Sequence, residues 1–266
     1  MDRAPCRSRR VIWRRAGWRI ALLMLALAAL AGEAAAERLP SRTYTTEDGL
    51  AHNRVKRIVQ DSQGFLWFCT ADGLSRFDGA RFTNYRVEDG LPANSINDLL
   101  ETSGGVYWLA TNTVGVVRFD LLADLRPRAT GSRARPAPRF TVYQVGSDPA
   151  SNRVNVLYRD RAGALWAGTD GGLFRLNDPS RDEAFQRVTV GIPDRPDLQT
   201  QVWTLVEDAG GNLWIGTKYG LVRRSPDGRT SHYHLQPSSA PSAEEVVMGL
   251  LRDAQQPHHH FLGRRR

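Results

Sequence analysis

Aspartate followed three residues later by glycine and six residues later by tryptophan occurs three times in this chain, at Asp61 and Trp67, Asp160 and Trp166, and Asp208 and Trp214; Thr102 takes the same place before Trp108. Two kinds of chemistry use such residues. Aromatic faces stack on sugars and bases, and carboxylates ligate metals or move protons. The spacing argues against the second use, because no further acidic residue stands at the D-x-D-x-D-G interval of a calcium loop. A β-turn needs only one carboxylate with a glycine three residues later, and Gly64, Gly163 and Gly211 supply it. The tryptophans recur at one register, as residues packed between equivalent units do. Asp61, Gly64, Trp67, Trp108, Asp160, Gly163, Trp166, Asp208, Gly211 and Trp214 are therefore read as structural repeat positions.

Other reactive groups form no constellation. His258, His259 and His260 are neighbours of no carboxylate or cysteine, and His52, His232 and His234 are scattered. There are two cysteines, Cys6 and Cys69, and neither G-x-S-x-G nor H-E-x-x-H occurs. The expectation is no catalytic residue, no metal and no cofactor.

The 36 Lys and Arg exceed the 28 Asp and Glu by a formal charge of +8. Most of that excess is local. Residues 1–36 carry +5, the Arg/Pro-rich stretch 121–139 carries +4 and Arg264 to Arg266 add +3, which leaves −4 for the remainder. A groove that tracks phosphates needs its cations on a folded face, so nucleic acid is not an expected partner. The 41% hydrophobic content excludes collagen-like and wholly disordered chains.

The N-terminus joins a cationic stretch to thirteen nearly all-apolar residues, Ile20 to Gly32, followed by Ala34-Ala35-Ala36. That order reads as a secretory signal over residues 1–36 with export to the periplasm or beyond, an uncleaved leader being the alternative. The apolar run is shorter than the roughly 20 residues that span a bilayer. Cleavage would remove Cys6 and leave Cys69 without an intramolecular partner.

The four tryptophans are 41, 58 and 48 residues apart, and the long interval shrinks to 39 without the 19-residue insert 121–139. A period of this length belongs to propeller blades. Within the first period, short β-rich segments at 55–60, 65–70, 74–78 and 81–86 alternate with turn residues, including the T-x-x-G of Thr70 to Gly73 that recurs at Thr169 and Thr217. The fold class expected is all-β: a β-propeller of four-stranded antiparallel blades, incomplete, with about four blades over 37–253 and the start of a fifth. The last 13 residues, 254–266, break the repeat where glycine and tryptophan should follow Asp253, and read as an aberrant basic tail.

The segment Val55 to Asp78, VKRIVQDSQGFLWFCTADGLSRFD, and its echoes VNVLYRDRAGALWAGTDGGLFRL and VWTLVEDAGGNLWIGTKYGLVRR resemble the two-component regulator propeller repeat. D-G-L-x-x-N, at Asp48 to Asn53 and Asp89 to Asn94, resembles the family's sequence ahead of each blade. The resemblance implies the periplasmic sensor region of a membrane histidine kinase, hybrid two-component regulator or diguanylate cyclase, non-catalytic by itself. It also implies further blades, a membrane helix and an output domain, so the chain is read as the N-terminal piece of a longer, inner-membrane receptor. Oligosaccharides or other small molecules are the ligands the resemblance implies. A propeller enzyme of lyase or glycosidase type, or a passive periplasmic scaffold, are the alternatives.

In a four-strand meander the loops alternate between faces, so the loops leading into each blade share a face with the T-x-x-G loops. Binding residues collect on loops of a rigid scaffold. The ligand candidates are Asn53, Asn94, Asn152 and Thr200, each fourteen residues before its tryptophan, with His52, Asp72, Asn112, Asp170, Lys218 and Tyr219. The repeated asparagines serve equally well as loop caps. Membrane association is expected only through an uncleaved leader or segments beyond this chain, and an open propeller edge invites self-association.

Overall fold

The computed structural model describes residues 41–102, 105–123, 139–181, 184–190, 201–233, 246–251 and 260–263. The leader, most of the Arg-rich insert and Thr200 lie outside them. From Tyr44 onward the chain forms one compact unit. Among the described residues no helix is long and apolar enough to cross a membrane.

Four sheets follow one another along the chain, each an antiparallel meander of four strands. The first comprises β1 (Val55–Gln60), β2 (Leu66–Thr70), β3 (Gly73–Phe77) and β4 (Phe82–Tyr85). The second holds β5 (Ile96–Glu101), β6 (Val106–Thr111), β7 (Val116–Asp120) and β8 (Phe140–Tyr143). The third holds β9 (Val154–Arg159), β10 (Leu165–Thr169), β11 (Gly172–Leu176) and β12 (Gln186–Val188). The fourth holds β13 (Val202–Glu207), β14 (Leu213–Thr217), β15 (Gly220–Arg224) and β16 (Thr230–Tyr233). These are propeller blades, and the first strand of each packs beside the first strand of the next.

A fifth sheet pairs β17 (Val247–Leu251) with β18 (His260–Gly263). Its ladder runs from Val247 opposite Gly263 to Leu251 opposite His260. The same ladder in the fourth blade sets Val202 opposite Thr217 and Val206 opposite Trp214. His260 thus occupies the backbone register of the repeated tryptophan, with one additional residue in the hairpin, although the sequence there looks out of frame.

Turn chemistry fixes the meander. Gly163 adopts φ 92°, a left-handed conformation that a side chain disfavours, as it closes the turn begun by Asp160. At Gly73, φ is 104° and an added Cβ would lie 2.7 Å from the Tyr85 carbonyl oxygen of the neighbouring strand, so the T-x-x-G loop tolerates only glycine there. The Thr of each T-x-x-G loop is buried and donates its hydroxyl to a loop carbonyl: Thr70 to Gly73, Thr111 to Gly115, Thr169 to Gly172 and Thr217 to Gly220, at 2.7 to 2.9 Å.

The core is divided among the seams between blades. Trp67 packs with Tyr107, Phe119 and Ile96 of the second blade, Trp108 with Val154 and Leu157 of the third, and Trp166 with Val202 and Leu205 of the fourth. Trp67, Trp108 and Trp166 are buried and Trp214 is half-buried. Removing one such aromatic costs about 3 to 5 kcal/mol, which makes packing the first duty of these residues.

Candidate functional site

The aspartate turns close one face of the blades. Asp61 accepts hydrogen bonds from the backbone N–H of Gln63 and Phe65, from Trp67 Nε1 at 2.8 Å and from the Tyr107 hydroxyl of the next blade at 2.9 Å. Asp160 accepts from Trp166 Nε1 at 2.8 Å, and Asp208 from Trp214 Nε1 at 2.9 Å and from Asn212. Burial pushes the Asp61 and Asp208 carboxyls up, but these donors outweigh it and both lie below the usual carboxylate range. Each oxygen is committed to its own turn and indole. The carboxylates hold the fold.

An arginine completes this arrangement and carries a signal that the sequence contains. Arg76, Arg175 and Arg223 follow their tryptophans by nine residues and Arg118 follows by ten, and each lies directly across the strand pair from its tryptophan. The Arg175 guanidinium lies 5.2 Å from the Trp166 ring centroid and 3.6 Å from Asp160.

On the opposite face the loops leading into the blades are hydrogen-bonded to the T-x-x-G loops. Gly73 N–H donates to the Asn94 carbonyl, Asn112 N–H to Ser95, Gly115 N–H to Asn152, and Lys218 N–H to Gln201. Asp72, Asn94, Asn112, Asn152, Asp170, Lys218 and Tyr219 thereby share one end of the blades. Their side chains differ in freedom. Asn152 is committed as a cap, accepting from Val145 N–H and donating to the Gly146 and Asp148 carbonyls. Asn53 accepts from Thr46 N–H at 2.8 Å. His52 Nδ1 accepts from Arg54 N–H at 2.8 Å, which leaves the neutral imidazole its proton on Nε2. Asp72, Asn94 and Asn112 are exposed, and the Lys218 ammonium lies 5.9 Å from the Tyr219 ring centroid.

At this same end a second row of residues was not foreseen. In all five sheets the pairing of the first strand with the second shifts one residue after its start, a β-bulge that leaves Lys56, Asn97, Asn155, Trp203 and Met248 unpaired in the ladder. A bulge re-aims its side chain, and three of these reach the following blade. Lys56 Nζ donates to Ser95 Oγ at 2.5 Å and Asn97 Oδ1 at 2.7 Å, Asn97 Nδ2 to the Val154 carbonyl at 2.7 Å, and Asn155 Nδ2 to the Val202 carbonyl at 3.2 Å. Asn155 Nδ2 also donates to the candidate Asp170 at 3.0 Å. Trp203 Nε1 is buried without a hydrogen-bond partner. Beneath this row Asp98 is buried among the first strands, and burial pushes its carboxyl up despite Arg57 at 3.4 Å and the N–H groups of Leu157 and Leu99. Among the described residues no group of three or more His, Cys, Asp or Glu is placed to hold a metal ion.

Four segments, residues 49–72, 90–113, 148–171 and 197–219, match the two-component regulator propeller family. No curated protein matches the chain in sequence. Among solved structures, the chain is similar to the extracellular domain of BT3049 from B. thetaiotaomicron, described as a hybrid two-component system, with 28% identity and a TM-score of 0.60 over 80% of this chain and 28% of that one. The extracellular domain of BT4673 from the same organism, described likewise, shares 19% identity with a TM-score of 0.58 over 79% of this chain and 25% of that one. A streptogramin B lyase shares 16% identity with a TM-score of 0.56, covering 78% of this chain and 61% of the lyase. The chain thus spans about a quarter of the length of the two extracellular domains, and the lyase likeness is one of fold.

Proposed function

We propose that this chain of two-component regulator propeller repeats is the ligand-sensing part of an extracytoplasmic signalling receptor. In this reading it has no catalysis of its own, and its signal passes through membrane and output segments of a longer protein. The observation that carries the reading is the presence of four such repeats in a fold shared, at 28% identity, with an extracellular domain described as part of a hybrid two-component system. The ligand would bind at the T-x-x-G end, where exposed and half-buried polar side chains stand on loops that are hydrogen-bonded to one another. Lys218 and Tyr219 are the residues we assign to specificity. They are not repeated between blades, and an asymmetric ligand is recognised where the repeat symmetry is broken. Export to the periplasm through the leader belongs to the same reading.

A panel of neutral and acidic oligosaccharides tested against the purified full chain by calorimetry checks the proposal. Saturable binding of at least one, weakened about tenfold or more by Lys218→Met or Tyr219→Ala without loss of the folded state, is the expected outcome. Binding that survives both substitutions unchanged removes the assigned site, and no binding across the panel removes oligosaccharide sensing.

A further inference from the structure

We propose that the cavity between the second and third blades, on the aspartate-turn side, is a binding site for a small carboxylate. It lies at the end opposite the sensing loops and does not depend on that reading. Three blades supply a carboxylate to their own tryptophan: Asp61, Asp160 and Asp208 each receive an indole N–H at 2.8 to 2.9 Å. The second blade has Thr102 in that place, and Thr102 turns its hydroxyl to the Val106 carbonyl. Trp108 is buried and lines the cavity at this seam, and its own turn offers its Nε1 no carboxylate. The chain therefore repeats one indole acceptor in three blades and replaces it with threonine in the second.

The surroundings suit a carboxylate in size and charge. The seam between the third and fourth blades has a cavity of about 320 Å³ lined by Asp160, Trp166 and Arg175. The equivalent seam between the second and third has one of about 580 Å³ lined by Thr102, Trp108 and Arg118. Arg159 of the third blade joins this wall, its Nε donating to the Gly163 carbonyl at 3.5 Å. Among the described residues the acidic groups nearby are engaged: Asp178 with Ser180 and Arg181, Asp120 with Arg118 at 3.4 Å, and Glu101 with Ser62. A carboxylate entering here would accept from Trp108 Nε1 as Asp160 accepts from Trp166, while the Arg118 and Arg159 guanidiniums offset its charge.

Indole N–H signals of the 15N-labelled full chain report on the site directly, the Trp108 signal being assigned with Trp108→Phe. Titration with D-glucuronate should move that signal saturably, with half-saturation on the order of 1 mM, while neutral D-glucose should not. Arg118→Gln should weaken the response about tenfold or more. Thr102→Asp supplies the missing carboxylate from within the chain, so its Trp108 signal should sit near the ligand-shifted position and ignore glucuronate. A wild-type signal that stays still, that follows glucose equally, or that keeps its full response in Thr102→Asp and Arg118→Gln overturns the proposal.

Discussion

A carboxylate that accepts an indole N–H and its own turn amides is bound more tightly ionised than protonated. Asp208 shows this: burial pushes its carboxyl up, yet donors from Asn212 and Trp214 bring it below the usual range. A depressed folded-state value contributes stability that is present above about pH 4 and is lost as the pH falls through the folded value. The urea midpoint of Asp208→Asn should therefore fall less between pH 5 and pH 3 than that of the wild type; an equal fall would place the acid sensitivity in other groups. At neutral pH, Asp208→Ala should cost about 1 to 3 kcal/mol, because the Trp214 and Asn212 donors lose their acceptor. Tyr107 titrates in the opposite sense. Burial first, then its bond to the Asp61 carboxylate, pushes its hydroxyl well above the ordinary tyrosine range, so its contribution is lost only at alkaline pH.

The first strand of each blade carries both what the sequence displays and what it hides. Strand positions and turns were legible because Asp, Gly, Trp and Thr recur at fixed offsets, and each has one physical duty that one residue type performs. The bulge row was not legible, because Lys56, Asn97, Asn155, Trp203 and Met248 share a backbone position while only Asn97 and Asn155 share a residue type. The arginines opposite the tryptophans carry a weaker signal, since Arg118 falls one residue late behind the longer T-x-x-G loop of the second blade. The candidate loop residues were placed on one end by topology alone, but whether an asparagine caps or remains free depends on loop geometry, as the different engagements of Asn152 and Asn94 show. Asn155→Ala should cost about 1 kcal/mol by removing the bonds to Asp170 and the Val202 carbonyl, and amide exchange should quicken along β13 more than along β5. Uniform quickening would mean that the bulge bond does not hold this seam in particular.

Across the blades, burial depends on having a blade on either side. Leu99, Leu157 and Leu205 occupy the fourth position of their strands and are 3%, 5% and 6% exposed, whereas Ile58 in the same position of β1 is 56% exposed, with no described blade preceding it. Leu99→Ala should cost about 2 to 5 kcal/mol, and Ile58→Ala should stay within about 0.5 kcal/mol of wild type in the isolated chain, both read from urea melts. A large loss at Ile58 would show that this face is covered in solution by another copy. The bulge bonds bear on descent as well as on stability. Two of them end on the main-chain carbonyls of Val154 and Val202, groups that every blade possesses whatever its side chains. A repeat carrying asparagine at the bulge would therefore find its acceptor on whichever blade follows it, so duplication or deletion of a whole repeat leaves that bond available, whereas the Lys56 junction depends on the side chains of Ser95 and Asn97.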